Sequence, residues 1–407
     1  MDGLGGGPSA QEGHALSKHS TGEKNRQFIA RPIVAGALVV ILIAGVITAW
    51  SRLGDDIEQT ASTDASACVD GKATVPVVAD PAIAPGLQRI AQNFNSTNPI
   101  VRDKCVTVQV RPADARATLE GLTAKKWDTR SFGPYPGAWV PESSVWAAAL
   151  QTKNESILQG PPASLVSSPV RLVIERELAK AINGRIAWKD LPGLTQANSL
   201  AAYGHREWGS LRMAMPNGPQ SDASALGAQG VAAAVADQKG SLTAAQAESP
   251  AVKRAVEQLM SAPPKIGDGS TAAAVTAIGA ATDPANAKVR AVPATEQSVF
   301  ASTVDDKTAK VAVVAPTGAT PVADYPVVKL AGDMVPAYAG DAISEFFTFA
   351  RKPPQMKILT GMGFRGTGPL PAPTATVPFG PVVDALPAPE PAAAVAINKI
   401  VLPAAAP

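Results

Sequence analysis

A chain of 407 residues, 46% apolar, can hold one large or two medium domains with a substantial core. Its formal charge is only +2 and no basic block stands out in the presumed folded part, which argues against a nucleic-acid partner. Aromatic residues are scarce at 5%, and the abundance of Ala, Gly and Pro reflects base composition as readily as function.

Residues 1–31 are polar and rich in Gly and Ser, the composition of a disordered segment. Residues 33–50, "IVAGALVVILIAGVITAW", then run for 18 positions without a charge. As a helix this stretch is about 27 Å long, close to a hydrocarbon core of roughly 30 Å. Lys18, Lys24, Arg26 and Arg31 precede it, while Asp55, Asp56, Glu58 and Asp64 follow. That asymmetry predicts a single-pass anchor over 32–53, with the N-terminus cytoplasmic and the main domain extracytoplasmic. A cleaved signal peptide fits less well, because its apolar region is typically roughly 7–15 residues and "ITAW" at 47–50 offers no small-x-small site. "ASAC" at 65–68 resembles the end of a lipobox but lies too far beyond the apolar run.

Residues 54–67 read as an acidic spacer. Cys68 and Cys105, the two cysteines of the chain, both fall on the outer side and are expected to form a disulfide. Closing a loop of that length contributes about 4 kcal/mol in the chain-entropy picture. From 73 onward, short β-type runs alternate with helical patterns. "ATVPVVA" (73–79) reads as a strand. The next segment sets Ile83, Leu87, Ile90, Ala91 and Phe94 on one helical face, with Pro85 in the first turn. "CVTVQV" (105–110) is a second strand, followed by helical "RATLEGLTA". Residues 138–140 are a short strand leading through a polar turn into a helix. "PVRLVI" (169–174) precedes helical "ERELAKAI", and "LRMAMP" (211–216) precedes an Ala-rich helix over 222–236. "AKVAVVAP" and "YPVVKLAG" read as later strands. Two helices broken at Pro353 and Pro354 close the folded part, with Ile343, Phe346, Phe347 and Ala350 on a buried face. Such alternation predicts an α/β fold with largely parallel sheets. Residues 366–407 are Pro/Ala-rich with no evident period and read as an extended, disordered tail.

Four strand ends carry the same chemistry: Asp80; Glu142, Ser143 and Ser144; the turn from Asn217 to Asp222; and Thr295 to Ser298. Ligands of open α/β sheets sit beyond the carboxyl ends of strands, where helix N-termini present free N–H groups. The alternative is that these residues are N-caps, each worth about 1 kcal/mol without any ligand.

In order along 68–365, "VPVVADPAIAPGLQRIAQNFN", "PGAWVPESSVWAAAL", "GRIAWKDLPGL", "RMAMPNGPQSDASALGA", "PATEQSVFA", "APTGATPVADYPVVKLAG" and "FFTFARKPPQMKILTGMGFR" resemble the type II periplasmic-binding-protein fold. The resemblance is to actinobacterial extracellular solute-binding domains related to molybdate and sulfate receptors. It implies two α/β lobes joined by two crossover segments, the first about 68–175 with 313–365 and the second about 176–312. It also implies hinge closure on a small-molecule or ion ligand. On the matching motifs, Asp80, Ser143, Ser144, Ser221, Ser224 and Glu296 would line the cleft, with Glu142 beside them and Tyr325 just before the returning strand. Two departures matter. Glu142 and Glu296 would repel an oxyanion. The von Willebrand A domain that often follows in such relatives has no DxSxS motif here, since "DASAC" and "DASAL" (222–226) lack the pattern.

The motifs GxSxG, HExxH, GxxxxGK[ST] and CxxC are missing. His205, in the polar stretch "YGHREWG", is the single histidine after the apolar run and reads as a surface residue. The expected function is therefore non-enzymatic, without cofactor or metal: an anchored solute-binding protein serving a transporter or a sensor. The alternative is a cell-envelope scaffold that keeps the receptor fold, works through protein partners and binds no ligand.

Overall fold

The computed structural model describes residue 48, residues 68–306, residue 308 and residues 310–402. The chain divides into two units, Met1–Ala67 and Cys68–Pro407. The expected leader, membrane anchor and acidic spacer fall in the first and, but for Thr48, lie outside the described residues. Among the described residues no helix is long and apolar enough to cross a membrane.

Before a first crossover the second unit forms strands β1 (Lys72–Ala79), β2 (Ile100–Val101), β3 (Lys104–Pro112), β4 (Ala138–Val140) and β5 (Ala163–Ser164). Strands β6 (Ser168–Glu175), β7 (Ala291–Thr295), β8 (Val311–Val314) and β9 (Val322–Ala323) follow it. After a second crossover, β10 (Pro326–Lys329) returns to the first sheet, whose order is β2-β3-β1-β4-β10-β5. Only β3-β1-β4 is parallel, with Val75 beside Val108 and Val78 beside Trp139. In the second sheet β6 is central and pairs antiparallel with β7, β8 and β9. The expectation of largely parallel sheets is thus wrong for the second lobe and for the edges of the first.

The two-residue period explains the burial. In β1, Val75, Val77 and Ala79 point into the main core, while Val78 joins Leu119, Trp127 and Trp139 on the opposite face. In β6, Val170, Leu172 and Ile174 enter the main core and Val173 a second one with Val292 and Ala294. A strand buried on both faces belongs in the middle of a sheet. Strand β6, expected in the first lobe, thus belongs to the second sheet with β8 and β9, and the chain passes between the sheets at 165–167 and 324–325.

Helices α1 (Ala84–Asn95), α2 (Ala115–Thr123) and α3 (Ser144–Asn154) belong to the first lobe. Leu87, Ile90, Ala91 and Phe94 of α1 are buried, Phe94 meeting Phe346 and Phe349 at ring distances of 5.6 and 5.5 Å. The second lobe carries α4 (Arg176–Ile182), α5 (Asp222–Val235), α6 (Pro250–Leu259), α7 (Thr271–Gly279) and α8 (Glu296–Thr303). Helix α5 runs through its interior. A Cβ on Gly230 would lie 2.6 Å from Pro321 Cγ and 3.1 Å from Trp188 Cδ2, so close packing requires glycine there. Helices α9 (Ala337–Ala350) and α10 (Pro353–Gly361) pack back on the first lobe, and the Cys68–Cys105 disulfide joins the start of the unit to β3.

The segment after Gly366 departs from the expected disordered tail. Val377 is fully buried, and Phe379 packs on Phe300 at 5.1 Å. Thr320 exchanges backbone hydrogen bonds with Asp384 and Leu386 at 2.7 and 2.8 Å. A final helix, α11 (Pro391–Val401), buries Ala393, Ala394, Ile397 and Val401 against α3 of the first lobe and α5 and α6 of the second. Pro391 at its first position suits a helix start, and the apolar residues at 393, 394, 397 and 401 keep helical spacing. The prolines around this run hide that period in the sequence.

Candidate functional site

The carboxyl ends of β1 and β4 and the N-terminus of α5 meet where the lobes join. Asp80 follows β1 directly. Its backbone N–H donates to the Val140 carbonyl at 2.8 Å, and its Oδ1 accepts from the Ala82 N–H at 2.8 Å. Gln220, from the other lobe, weakly favours the charged form of the same carboxyl. Glu142 follows β4, and the nearby backbone N–H of Asp222 favours its charged form. Asp222 opens α5, and its Oδ2 accepts from Ser143 Oγ at 2.7 Å. Trp146 Nε1 donates to both oxygens of Asp222, at 2.8 and 2.7 Å. Lobe 1 thus donates hydrogen bonds to Asp222 of lobe 2, with Asp80 and Glu142 beside it and each of the three acids no more than 5% exposed.

Burial disfavours charge on all three. It pushes Asp80 up to about 7, aided by the charges of Asp222 and Asp114 and opposed by the Ala82 N–H. It pushes Asp222 up to about 6, opposed by the Ser143 and Trp146 donors. Glu142 is raised well above the carboxylate range, by burial first and then by Asp222 and Asp80. Tyr325, fully buried, is raised well above its ordinary value by burial and then by the charge of Glu142. Glu142 Oε2 and Tyr325 Oη have no hydrogen-bond partner among the described residues. An unpaired buried polar atom costs about 1–3 kcal/mol, so both are groups that a ligand could satisfy. Gln220 and Tyr325 also sit in left-handed backbone, at φ of 52° and 37°, where a side chain costs on the order of 1–3 kcal/mol.

The other expected residues divide. Ser144 donates its backbone N–H to Asp324 Oδ1 at 2.7 Å, and it lines a cavity of about 200 Å³ with Asp324, Gln229 and Pro389. Ser221 Oγ donates to the Gly218 carbonyl at 2.5 Å and so braces its own turn. Ser224 is fully buried with its hydroxyl unpartnered. Glu296 sits in an ion pair instead: Arg365 Nη2 is 2.6 Å from its Oε2 and Arg171 Nε 3.7 Å from its Oε1. With its carboxylate between two guanidiniums, Glu296 ties α8 to the segment after α10 rather than offering itself to a ligand. Asp222, Trp146 and Gln220 escaped sequence reasoning, although Asp222 and Gln220 stand within the turn that it singled out. An acid in the first turn of a helix with almost no exposed face was the available signal.

Among the described residues no group of three or more His, Cys, Asp or Glu side chains is arranged to hold a metal ion. His205 lies 3.9 Å from Glu207 and stacks on Trp208 at 4.0 Å. The junction therefore offers acceptors, weakly acidic donors and a phenol.

No protein-family model matches the chain. Two uncharacterised proteins from strains of Mycobacterium tuberculosis are 38% identical to it over 350 residues, 85% of this chain and 50% of theirs. The chain spans about half the length of these curated relatives. Among solved structures, a ferric binding protein from Campylobacter jejuni is similar at 11% identity and a TM-score of 0.53, covering 80% of this chain and 97% of its own. Iron-bound HitA from Pseudomonas aeruginosa is similar at 12% and 0.53, covering 81% and 99%. An ABC transporter structure from Clostridium perfringens is similar at 11% and 0.54, covering 80% and 97%. The fold is that of the two-lobed α/β solute-binding proteins.

Proposed function

We propose that this chain is a non-enzymatic binding protein whose junction between lobes holds a small solute that is cationic or rich in hydrogen-bond donors. The observation that carries this reading is the cluster of Asp80, Glu142 and Asp222, drawn from both lobes, with Glu142 Oε2 unpartnered beside it. An oxyanion would meet three acids there. An ammonium group would ionise them and gain charge-assisted hydrogen bonds that strengthen in a buried site. Contacts from both lobes exist together only when the lobes are closed, so such a solute favours closure. In this reading residues 33–50 anchor the domain outside the membrane, and the bound solute passes to an ABC-type transporter or reports to a sensor.

One observation favours a second reading. Helix α11 packs on both lobes, and Ser143 and Trp146 already occupy Asp222. A scaffold that keeps the receptor fold closed without ligand would be built this way.

A thermal-shift screen of the full chain at mildly alkaline pH separates them. The panel pairs amines and polyamines with sugars and with molybdate, sulfate and phosphate. A solute at 100 times its Kd should add about 2.7 kcal/mol. An amine should raise the midpoint, and Asp222→Asn should abolish the shift. A response to oxyanions alone refutes the cationic site, and no response to any class favours the scaffold.

A further inference from the structure

A second concavity lies on the outer side of α3. Helices α2, α3 and α11 enclose a groove of about 350 Å³, within the range of small-molecule sites. At roughly 30 Å³ per non-hydrogen atom it accommodates about a dozen such atoms. Leu119, Trp146, Val395 and Leu402 give it apolar walls, and Lys153 and Lys399 stand at its rim. Neither lysine is ion-paired among the described residues, although Lys399 lies in the field of Glu248, itself paired with Lys253 at 2.5 Å. Arg116 adds a third positive charge, its Nη2 reaching the Asn217 carbonyl at 3.5 Å, against the single carboxylate of Glu120.

We infer that this groove is a binding site for a small anionic amphiphile, a compound with one carboxylate head and an apolar body of about ten atoms. The apolar body replaces water on Leu119, Trp146, Val395 and Leu402. The head reaches Lys153 and Lys399, whose aliphatic stems also cover part of the body. A cationic amphiphile would bring its charge to a rim that is already positive. The occupant also touches the side chain that bonds Asp222, because Trp146 both walls the groove and donates its Nε1–H to that acid. Binding here is therefore visible in tryptophan emission, and it requires α11 to be docked.

The test uses the full chain with octanoate, 1-octanol and octylamine at equal submicellar concentrations, read by calorimetry and tryptophan fluorescence. Octanoate should bind at least tenfold more tightly than octanol, and octylamine more weakly than either. Lys153→Gln with Lys399→Gln, both on exposed positions, should weaken octanoate about tenfold and leave octanol unchanged. Ala149→Phe, which fills the groove, should abolish binding of both while circular dichroism stays native. Equal affinity for octanoate and octanol overturns the anionic assignment, as does an unchanged octanoate affinity in the lysine double variant. Binding that survives Ala149→Phe, or no binding of any of the three, overturns the site itself.

Discussion

Replacing Asp80 by Asn tests whether the acids at the lobe junction are held protonated. Asn keeps an oxygen that can accept from the Ala82 N–H and replaces the ionisable oxygen by an amide nitrogen that does not titrate. Asp80 moves from 3.8 in a model peptide to about 7 in the folded chain. Three units at about 1.4 kcal/mol each set a ceiling of about 4 kcal/mol. The folded state keeps a proton that the unfolded chain loses above about pH 4, so folding stability falls as pH rises toward 7 and levels beyond it. Between about pH 5 and pH 8 this single group should account for about 2–3 kcal/mol of the loss. Charges on Asp222 and Glu142 share the penalty, which makes that figure an upper value. Urea unfolding followed by circular dichroism at both pH values measures it. The variant should gain on the wild type by about 2 kcal/mol at the higher pH relative to the lower. Parallel stability profiles for the two proteins would refute the protonated cluster.

Two further perturbations address the frame around the site. Gly230→Ala forces a methyl group against Pro321 and Trp188 and should cost about 1–3 kcal/mol despite the better helix propensity of alanine. Gly361→Ala, with no atom within 4 Å of the added Cβ, is the control and should be neutral or slightly stabilising in the same urea series. Ile397→Asp places a carboxylate at a fully buried position of α11. It should undock that helix, remove about 2–5 kcal/mol and make residues 380–402 the first site of limited proteolysis. An unchanged digestion pattern and midpoint would show that α11 contributes nothing to holding the unit together.

Local pattern carried the reading of the chain a long way. The alternation of Val75, Val77 and Ala79 with Val78, and the spacing of Leu87, Ile90 and Phe94, are properties of short windows and are found as expected. Sheet membership is not such a property. "PVRLVI" reads the same whether it borders the first sheet or centres the second, and only pairing with Val292 and Val313, more than a hundred residues away, decides. The tail failed for a compositional reason: Pro387, Pro389 and Pro391 conceal an eleven-residue helix that the last of them starts. At the site, the turns bearing Asp80, Glu142 and Ser143 were visible as polar strand ends. Their partner Asp222 was visible as the end of another such turn, but its bond to Ser143 was not, because the two lie 79 positions apart. Glu296 was legible as an acid at a strand end, but the two arginines that claim it come from other elements.

The same three acids set opposing demands on the junction. While they are protonated, Ser143 and Trp146 can bridge the lobes through Asp222 without any solute. As they ionise, like charges buried together push the lobes apart unless a cation arrives, and the cost that opposes closure becomes attraction for that cation. Helix α11 adds a contact to both lobes that does not depend on pH, since its buried face is Ala393, Ala394, Ile397 and Val401. On the proposed binding reading, a solute would have to displace hydrogen bonds at the junction while α11 keeps the lobes within reach of each other. If a solute does bind there, such an arrangement would favour slow exchange over rapid sampling, because opening has to break apolar packing as well as polar contacts.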